Sequence, residues 1–422
     1  MSGTLERKWI EKYMESLNLL GRTAKVFTGF NVNIDVAHGE KFELDKPPEI
    51  GDRVENIEEL KAALRYCKEN GENHEVDYSE LEIGRGKKRQ IGGQGGIMSN
   101  YLAETGNEVI LYTSLLSEEL SEIMSEKILY PVEDDNILYL KNIQNAVNSN
   151  QTKINHIFEF EGEKSGRLIL SGRLKGYEPY LPHDLEEDLP LIQGNIDCCI
   201  FSGFHNVTGN KEVRLKKSAE QLGEMHRPIH VEYVHKDRET ANMILNYIVP
   251  EADSLGLDET ELREIAGTLE LDPPESPNFG EAFNLLRKIR EKFELSRIHL
   301  HTHRYHITLT ESHYPVKPER IRESMLFGEL SAIQLAEKGE IPDSGDLQDF
   351  SVKGKNIQGV QELENFGNFH DMKGFAEEGI AELEDVTVVG IPVIIHQDPE
   401  RTVGMGDLIS SGSFSMEQTG NN

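Results

Sequence analysis

Thr402–Phe414 reads TVGMGDLISSGSF, with Gly404 and Gly406 ahead of Asp407 and a helix pattern behind it. Glycines let backbone N–H groups approach an anion, and a helix N-terminus adds positive potential. An Asp at that point can take a proton from a hydroxyl while amides hold developing phosphoryl charge. Phosphoryl transfer to an alcohol needs that layout; a glycine turn with an Asp helix cap is the plain structural alternative. A second turn, RQIGGQGGIMSN at Arg89–Asn100, sets four glycines around Gln94 and leads into a helix. It can bring backbone close to a small polar ligand, and its spacing is not that of a dinucleotide fingerprint.

GFNVNID, Gly29–Asp35, closes a strand, and Asn31, Asn33 and Asp35 alternate along it. In extended chain they share a face, and strand C-termini of parallel sheets are where ligands bind. Amides and a carboxylate there suit sugar hydroxyls, with an Asx-turn cluster as the alternative. HVEYV and GLDETEL supply Glu232 and Glu261, which could hold Mg²⁺ through its waters. In RIHLHTHRYH, His299, His301 and His303 read as one face of a strand. No Cys or carboxylate ligand is adjacent, so sheet histidines are preferred to a metal site. Candidate cations for an anionic ligand are Arg85, Lys87, Lys88 and Arg89 in GRGKKR, and Lys153, Arg167 and Arg173 further on.

The elements around these residues alternate. Apolar runs start at Lys25, Val109, Cys198, Ile229, Ala252, Arg297 and Val386. Helical patterns cover about Glu55–Glu69, Gly96–Glu104, Ser117–Glu126, Lys211–Met225, Arg238–Tyr247, Thr260–Thr268, Phe279–Phe293 and Arg320–Lys338, after an opening helix with Ile10, Met14, Leu17 and Leu20. This predicts an α/β body with a mostly parallel sheet covered by helices. Val36–Gln90, polar and turn-rich, and Lys153–Tyr177, a β-hairpin pattern, break the rhythm. They predict a small β-rich lid from residues 36–90 and 151–177, inserted in a large domain of residues 1–35, 91–150 and 178–422.

The 422 residues carry Lys+Arg 44 against Asp+Glu 75, a net charge of −31. That excess argues against nucleic-acid and anionic-membrane partners. The acidic runs Glu118–Glu126 and Glu377–Asp385 read as solvated surface suited to high salt. With three cysteines, Cys67, Cys198 and Cys199, there is no disulfide framework. The charged N-terminus has no signal core, and no apolar stretch nears the roughly 18 residues of a membrane span. A cytoplasmic monomer or small homo-oligomer acting on small molecules is expected.

Together the motifs resemble the archaeal ADP-dependent sugar kinases, the ADP-specific phosphofructokinases and glucokinases, which are similar in fold to ribokinase. The resemblance runs in order through Asn31–Asp35, Gly92–Ile97, His230–Glu232, Asp258–Glu261, His299–Thr302 and Gly404–Asp407. Asp258 stands where the family has Asn, and Gly95 where it has Ala. The resemblance implies Mg²⁺-dependent transfer of the β-phosphoryl of ADP to a sugar hydroxyl. It makes Asp407 the general base, Gly404 and Gly406 part of the anion hole, and Thr402, Val403, Gly404 and Met405 the nucleotide contacts. It gives the sugar to Asn31, Asn33, Asp35, Gly93 and Gln94, a sugar phosphate to Lys153, Arg167 and Arg173, and the hydrated metal to Glu232 and Glu261. Fructose 6-phosphate is the favoured acceptor; Glu72, ahead of the Gly92 turn, keeps glucose open. The alternatives are an ADP-dependent glucokinase, an ATP-dependent ribokinase-like kinase, and a catalytically silent sugar- or nucleotide-binding regulator.

Overall fold

The computed structural model describes residues 2–38, 53–70, 73–78, 83, 86, 88–135, 137–160, 166–172, 174, 176–234, 237–352, 356–383 and 385–419. The apolar runs build a 12-stranded sheet. Within it Lys25–Phe30 is paired in parallel with Glu108–Tyr112 on one side and Cys198–Ser202 on the other. Ile229–Glu232, Ser254–Asp258 and Arg297–His301 follow outward, all parallel. These strands are buried on both faces, and therefore read as near-continuous apolar runs. Cys198 and Cys199 lie fully buried in one of them.

Antiparallel pairs finish the sheet. Tyr305–Glu311, Val386–Ile395 and, beyond it, Asn356–Gln358 and Ile380–Leu383 close one edge, and Leu129–Asp134 with Ile137–Asn142 closes the other. The first pair corrects the histidine reading. The strand ends at His301, and Thr302 builds a turn: its Oγ1 accepts from the N–H groups of Arg304 (3.1 Å) and Tyr305 (3.0 Å) and donates to the Tyr305 carbonyl (2.6 Å). A hydroxyl makes this turn, with no Gly or Pro to mark it. His303 is therefore exposed in the turn and does not share a strand face with His299 and His301.

A second, six-stranded sheet runs Arg53–Val54, Asn73–Tyr78, Gly166–Gly172, Ile154–Phe160, Asn33–His38, Lys88–Gly92. Ile154–Phe160 and Gly166–Gly172 form the antiparallel pair expected from the hairpin pattern. Helix Ile57–Asn70 packs on this sheet around Val54, Leu64, Cys67, Val76, Phe158 and Leu168, a core separate from the main one. Asn33–His38 and Lys88–Gly92 run across the boundaries drawn at residues 35/36 and 90/91.

The main core lies between the large sheet and its helices. Helix Met405–Gln418 has no exposed face from Leu408 to Gln418, and its four serines and Gly412 let it pack closely against helix Pro318–Lys338. Its last turn is pinned by a fully buried ion pair: Arg297 Nη2 lies 2.7 Å from Glu417 Oε1, and Nε lies 3.0 Å from Oε2. The acidic run Glu377–Asp385 is half-exposed and meets cations at the surface. Lys8 pairs with Glu377, Lys12 (3.2 Å) and Arg322 (2.6 Å) pair with Glu378, and Arg287 pairs with Asp385 (2.6 Å). Among the described residues no helix is long and apolar enough to cross a membrane.

Candidate active site

The separate motifs converge at the C-terminal edge of the parallel strands. Asn31 and Asn33 follow the strand ending at Phe30, and Glu232, Asp258 and His301 end three others. Helix Met405–Gln418 delivers its N-terminus to the same edge, since Glu232 and His301 both act on groups of its first turns. Gly404, the N-cap, has φ +95°, a left-handed conformation that side chains rarely adopt. The N–H of Leu408 already donates to the Gly404 carbonyl (3.1 Å). Those of Gly406 and Asp407, two and three residues past the cap, have no acceptor within the helix. A Cβ on Gly406 would stand 2.5 Å from His301 Nε2.

Asp407 is half-buried in the first turn. Burial pushes its carboxyl up to about 7, and the charges of Glu232 and Asp35 add to this. Arg401 and a hydrogen bond from Gln94 pull the other way. Such a group accepts a proton near neutrality, where a general base works best. We expect kcat/KM to fall as pH drops through about 7, close to tenfold per unit where one proton controls it. The limb belongs to Asp407 and Glu232 together, because their charges interact. A limb centred near the ordinary carboxylate value would overturn the burial argument.

On the sugar side, Asn33 Nδ2 donates to Asp35 Oδ1 at 2.7 Å. Both residues are buried, and burial pushes Asp35 up to about 6 against the pull of Arg401, Asn33, Lys153 and Arg167. Gly93 caps the next helix at φ +72°, where a Cβ would meet the Asn31 carbonyl at 2.6 Å. Asn33 Oδ1 and Gln94 Oε1 are buried with no hydrogen-bond partner among the described residues. Buried polar atoms are normally satisfied, so these acceptors fit the hydroxyls of a bound ligand.

The metal candidates are tightly held. Glu232 Oε2 accepts from Ser410 Oγ at 2.6 Å and lies 3.2 Å from His230 Nε2. Glu261 and Asp258 form a capping box: Asp258 Oδ1 accepts from Glu261 N–H (2.8 Å), and Glu261 Oε2 accepts from Asp258 N–H (2.9 Å). Asp258 thus does the capping that Asn would do, and adds charge. Burial, helped by Asp258, raises the carboxyls of Glu232 and Glu264 to about 7, and holds that of Glu261 well above its ordinary value. Among the described residues no three His, Cys, Asp or Glu side chains form a direct ligand cage. Carboxylates that repel one another, without such a cage, fit a magnesium ion that keeps its waters.

The candidate cations fare differently. Lys153 is buried, donating to Asn31 Oδ1 (3.0 Å) and Asn206 Oδ1 (3.1 Å). Arg167 is half-buried among Glu159, Asp35 and Glu75. Lys88 pairs with Glu340 (3.2 Å) and Arg89 with Glu119. Arg85, Lys87, Arg173 and Glu72 lie outside the described residues. Thr402 is exposed and reaches Glu159 of the small sheet at 3.5 Å; Val403 and Met405 are partly exposed.

Sequence reasoning passed over Arg401 and set His301 aside with the strand histidines. Arg401 is 6% exposed and neighbours Asp35 and Asp407. His301 lies by Glu232 and Asp258, its Nδ1 buried without a hydrogen-bond partner among the described residues. Alternation and spacing carry no signal for either placement.

The chain is similar to known proteins over nearly its whole length. The model of the ADP-specific phosphofructokinase/glucokinase conserved region matches residues 24–416. An ADP-specific phosphofructokinase of Pyrococcus horikoshii is 30% identical over 78% of this chain and 78% of its own. An ADP-dependent glucose/glucosamine kinase of Pyrococcus furiosus is 26% identical over 97% of each chain. A solved ADP-dependent kinase, in complex with fructose 6-phosphate and ADPβS, superimposes with a TM-score of 0.85 at 25% identity, covering 99% of both chains.

Proposed function

The chain belongs to the ADP-specific phosphofructokinase/glucokinase family, and on that premise we propose that it transfers the β-phosphoryl group of ADP to fructose 6-phosphate, releasing fructose 1,6-bisphosphate and AMP. The observation that carries this reading is Asp407, a carboxyl near neutral proton affinity at the mouth of a helix N-terminus, hydrogen-bonded to Gln94. Asp407 takes the proton of the attacking sugar hydroxyl. The amides of Gly404, Gly406 and Asp407 hold the transferring group, whose charge is spread over its oxygens. Thr402, Val403 and Met405 flank the nucleotide.

Asn31, Asn33, Asp35, Gly93 and Gln94 orient the sugar, and the two unpartnered buried amide oxygens take its hydroxyls. Lys153 and Arg167 supply positive charge for the sugar phosphate, with Arg173. Glu232 and Glu261 hold a hydrated Mg²⁺, which when bound neutralises charge on the phosphoryl oxygens. The small sheet, with residues 36–90 and 151–177, serves as a lid that excludes water from competing as acceptor. Its contacts to the main body, Lys88–Glu340, Arg89–Glu119 and Glu159–Thr402, support that reading. Three buried cysteines, two of them adjacent in one strand, suit a reducing compartment, and we place the reaction in the cytoplasm.

The similarity to a glucose/glucosamine kinase makes glucose the second acceptor to test. AMP release should be measured with ADP and fructose 6-phosphate and with ADP and glucose, and ADP release with ATP and each sugar. Turnover with ADP and fructose 6-phosphate, and none with ATP, is expected. ADP turnover on glucose alone would move the assignment to the glucokinase, and turnover confined to ATP would reject it.

A further inference from the structure

Arg401 has no part in the reading above, yet it stands between the two halves of the site. Its side chain is buried, with 6% exposed. Nε donates to the carbonyl of Val403 at 2.8 Å, and Nη2 faces the carbonyl of Ile91 at 3.4 Å. Val403 immediately precedes Gly404, the cap of the helix that carries Asp407. Ile91 immediately precedes the Gly92–Gln94 turn, in a strand paired with the one that carries Asp35 (Ile34 opposite Ile91). One guanidinium therefore spans the turn on the nucleotide side and the turn on the sugar side. Its charge lies by Asp35 and Asp407, and by Glu159 of the small sheet.

We propose that Arg401 is a positioning residue that holds the turn before Asp407 in register with the Gly92–Gln94 turn. It acts through Asp407 and touches no reacting atom. A planar guanidinium has donors on separate nitrogens in a fixed fork, and can serve two carbonyls from different turns. A lysine keeps the charge but cannot reproduce the fork. The proposal rests on Asp407 as base and on the sugar lying by Asp35.

The effect to look for is a split between kcat and KM. Displacement of a reacting group by about 1 Å costs on the order of 10²-fold in rate. Arg401→Met should lower kcat by about 10–100-fold, with KM for ADP and for the sugar within about threefold. Arg401→Lys should fall between Arg401→Met and the unmodified enzyme, because it retains the charge and donors on a single nitrogen. A kcat within about threefold of the unmodified enzyme in both variants would overturn the proposal. So would a raised KM at unchanged kcat, which would make Arg401 a direct ligand of substrate. If Arg401→Met does not fold, Arg401→Lys decides alone: lowered kcat at unchanged KM supports positioning, and any other pattern overturns it. Asp407→Asn, assayed in parallel, separates the two claims. Retained activity there removes the base assignment, whatever the Arg401 variants do.

Discussion

Asp407→Asn should reduce kcat by about 10²–10⁴-fold, the usual contribution of a positioned general base. Asn has nearly the same shape and keeps a polar group beside Gln94, so the Gly404–Asp407 turn stays in place. What is lost is the proton acceptor. The same substitution should leave the fold intact or more stable at alkaline pH, and the sign follows from linkage. The carboxyl is raised to about 7 in the folded chain, mainly by burial. Between the ordinary carboxylate value and about 7, the native state binds more protons than the unfolded state, so stability from this group falls as pH rises through that window. Above it the native chain bears a buried negative charge that Asn does not carry. Single-turnover AMP formation and thermal melts at pH 6 and 8 test both halves. Activity within about tenfold of the unmodified enzyme would remove Asp407 from the base role.

Glu417→Gln should be the most damaging change for stability, at about 3–5 kcal/mol. Both partners of the Arg297–Glu417 pair are fully buried. Arg297 also donates to Ser254 Oγ (3.0 Å) and Ser413 Oγ (3.2 Å), and stacks on Phe414 at 5.5 Å. The pair as a whole contributes little, because removing two charges from water offsets much of their attraction. Removing one partner is different: it leaves the guanidinium uncompensated in the core. The double variant Arg297→Met, Glu417→Met should therefore be more stable than Glu417→Gln, as read by urea midpoints. A loss under about 1 kcal/mol in Glu417→Gln would show that the remaining hydroxyls suffice for Arg297.

The site was legible wherever chemistry is written in contiguous residues. Gly404–Asp407, Asn31–Asp35 and Gly93–Gln94 combine side-chain type with backbone freedom in one short segment. The parallel strands were legible because burial on both faces leaves an unbroken apolar run, as in Cys198–Ser202. Three things were hidden, each for a physical reason. The Thr302 turn uses a hydroxyl where Gly or Pro would have shown a break. Ile137–Asn142 is an edge strand with exposed apolar side chains, so it lacks both a clean alternation and a buried run. Arg401 and His301 gain their roles from residues far away in sequence: Ile91 and Asp35 for one, Glu232 for the other. The carboxylates of Glu377–Asp385 stay half-exposed, as a solvated surface requires, and their partners Lys8, Lys12, Arg287 and Arg322 lie on other elements, where the sequence carries no sign of them.

Strand Arg297–His301 and helix Met405–Gln418 meet at both ends, at Arg297–Glu417 and at His301–Gly406. The four strand steps span about 13 Å, and the eleven helix steps from Gly406 to Glu417 rise about 16 Å. The two are rods of nearly matched length, bolted at either end. Each residue also turns an α-helix by about 100°. With the far bolt fixed and no solvent-facing side to absorb a slip, inserting or deleting one residue between them would swing Asp407 out of phase with Glu232 and Asp35. The phase of one buried helix thus sets the angular aim of the base, and length changes in this segment are forbidden in a way that point substitutions are not.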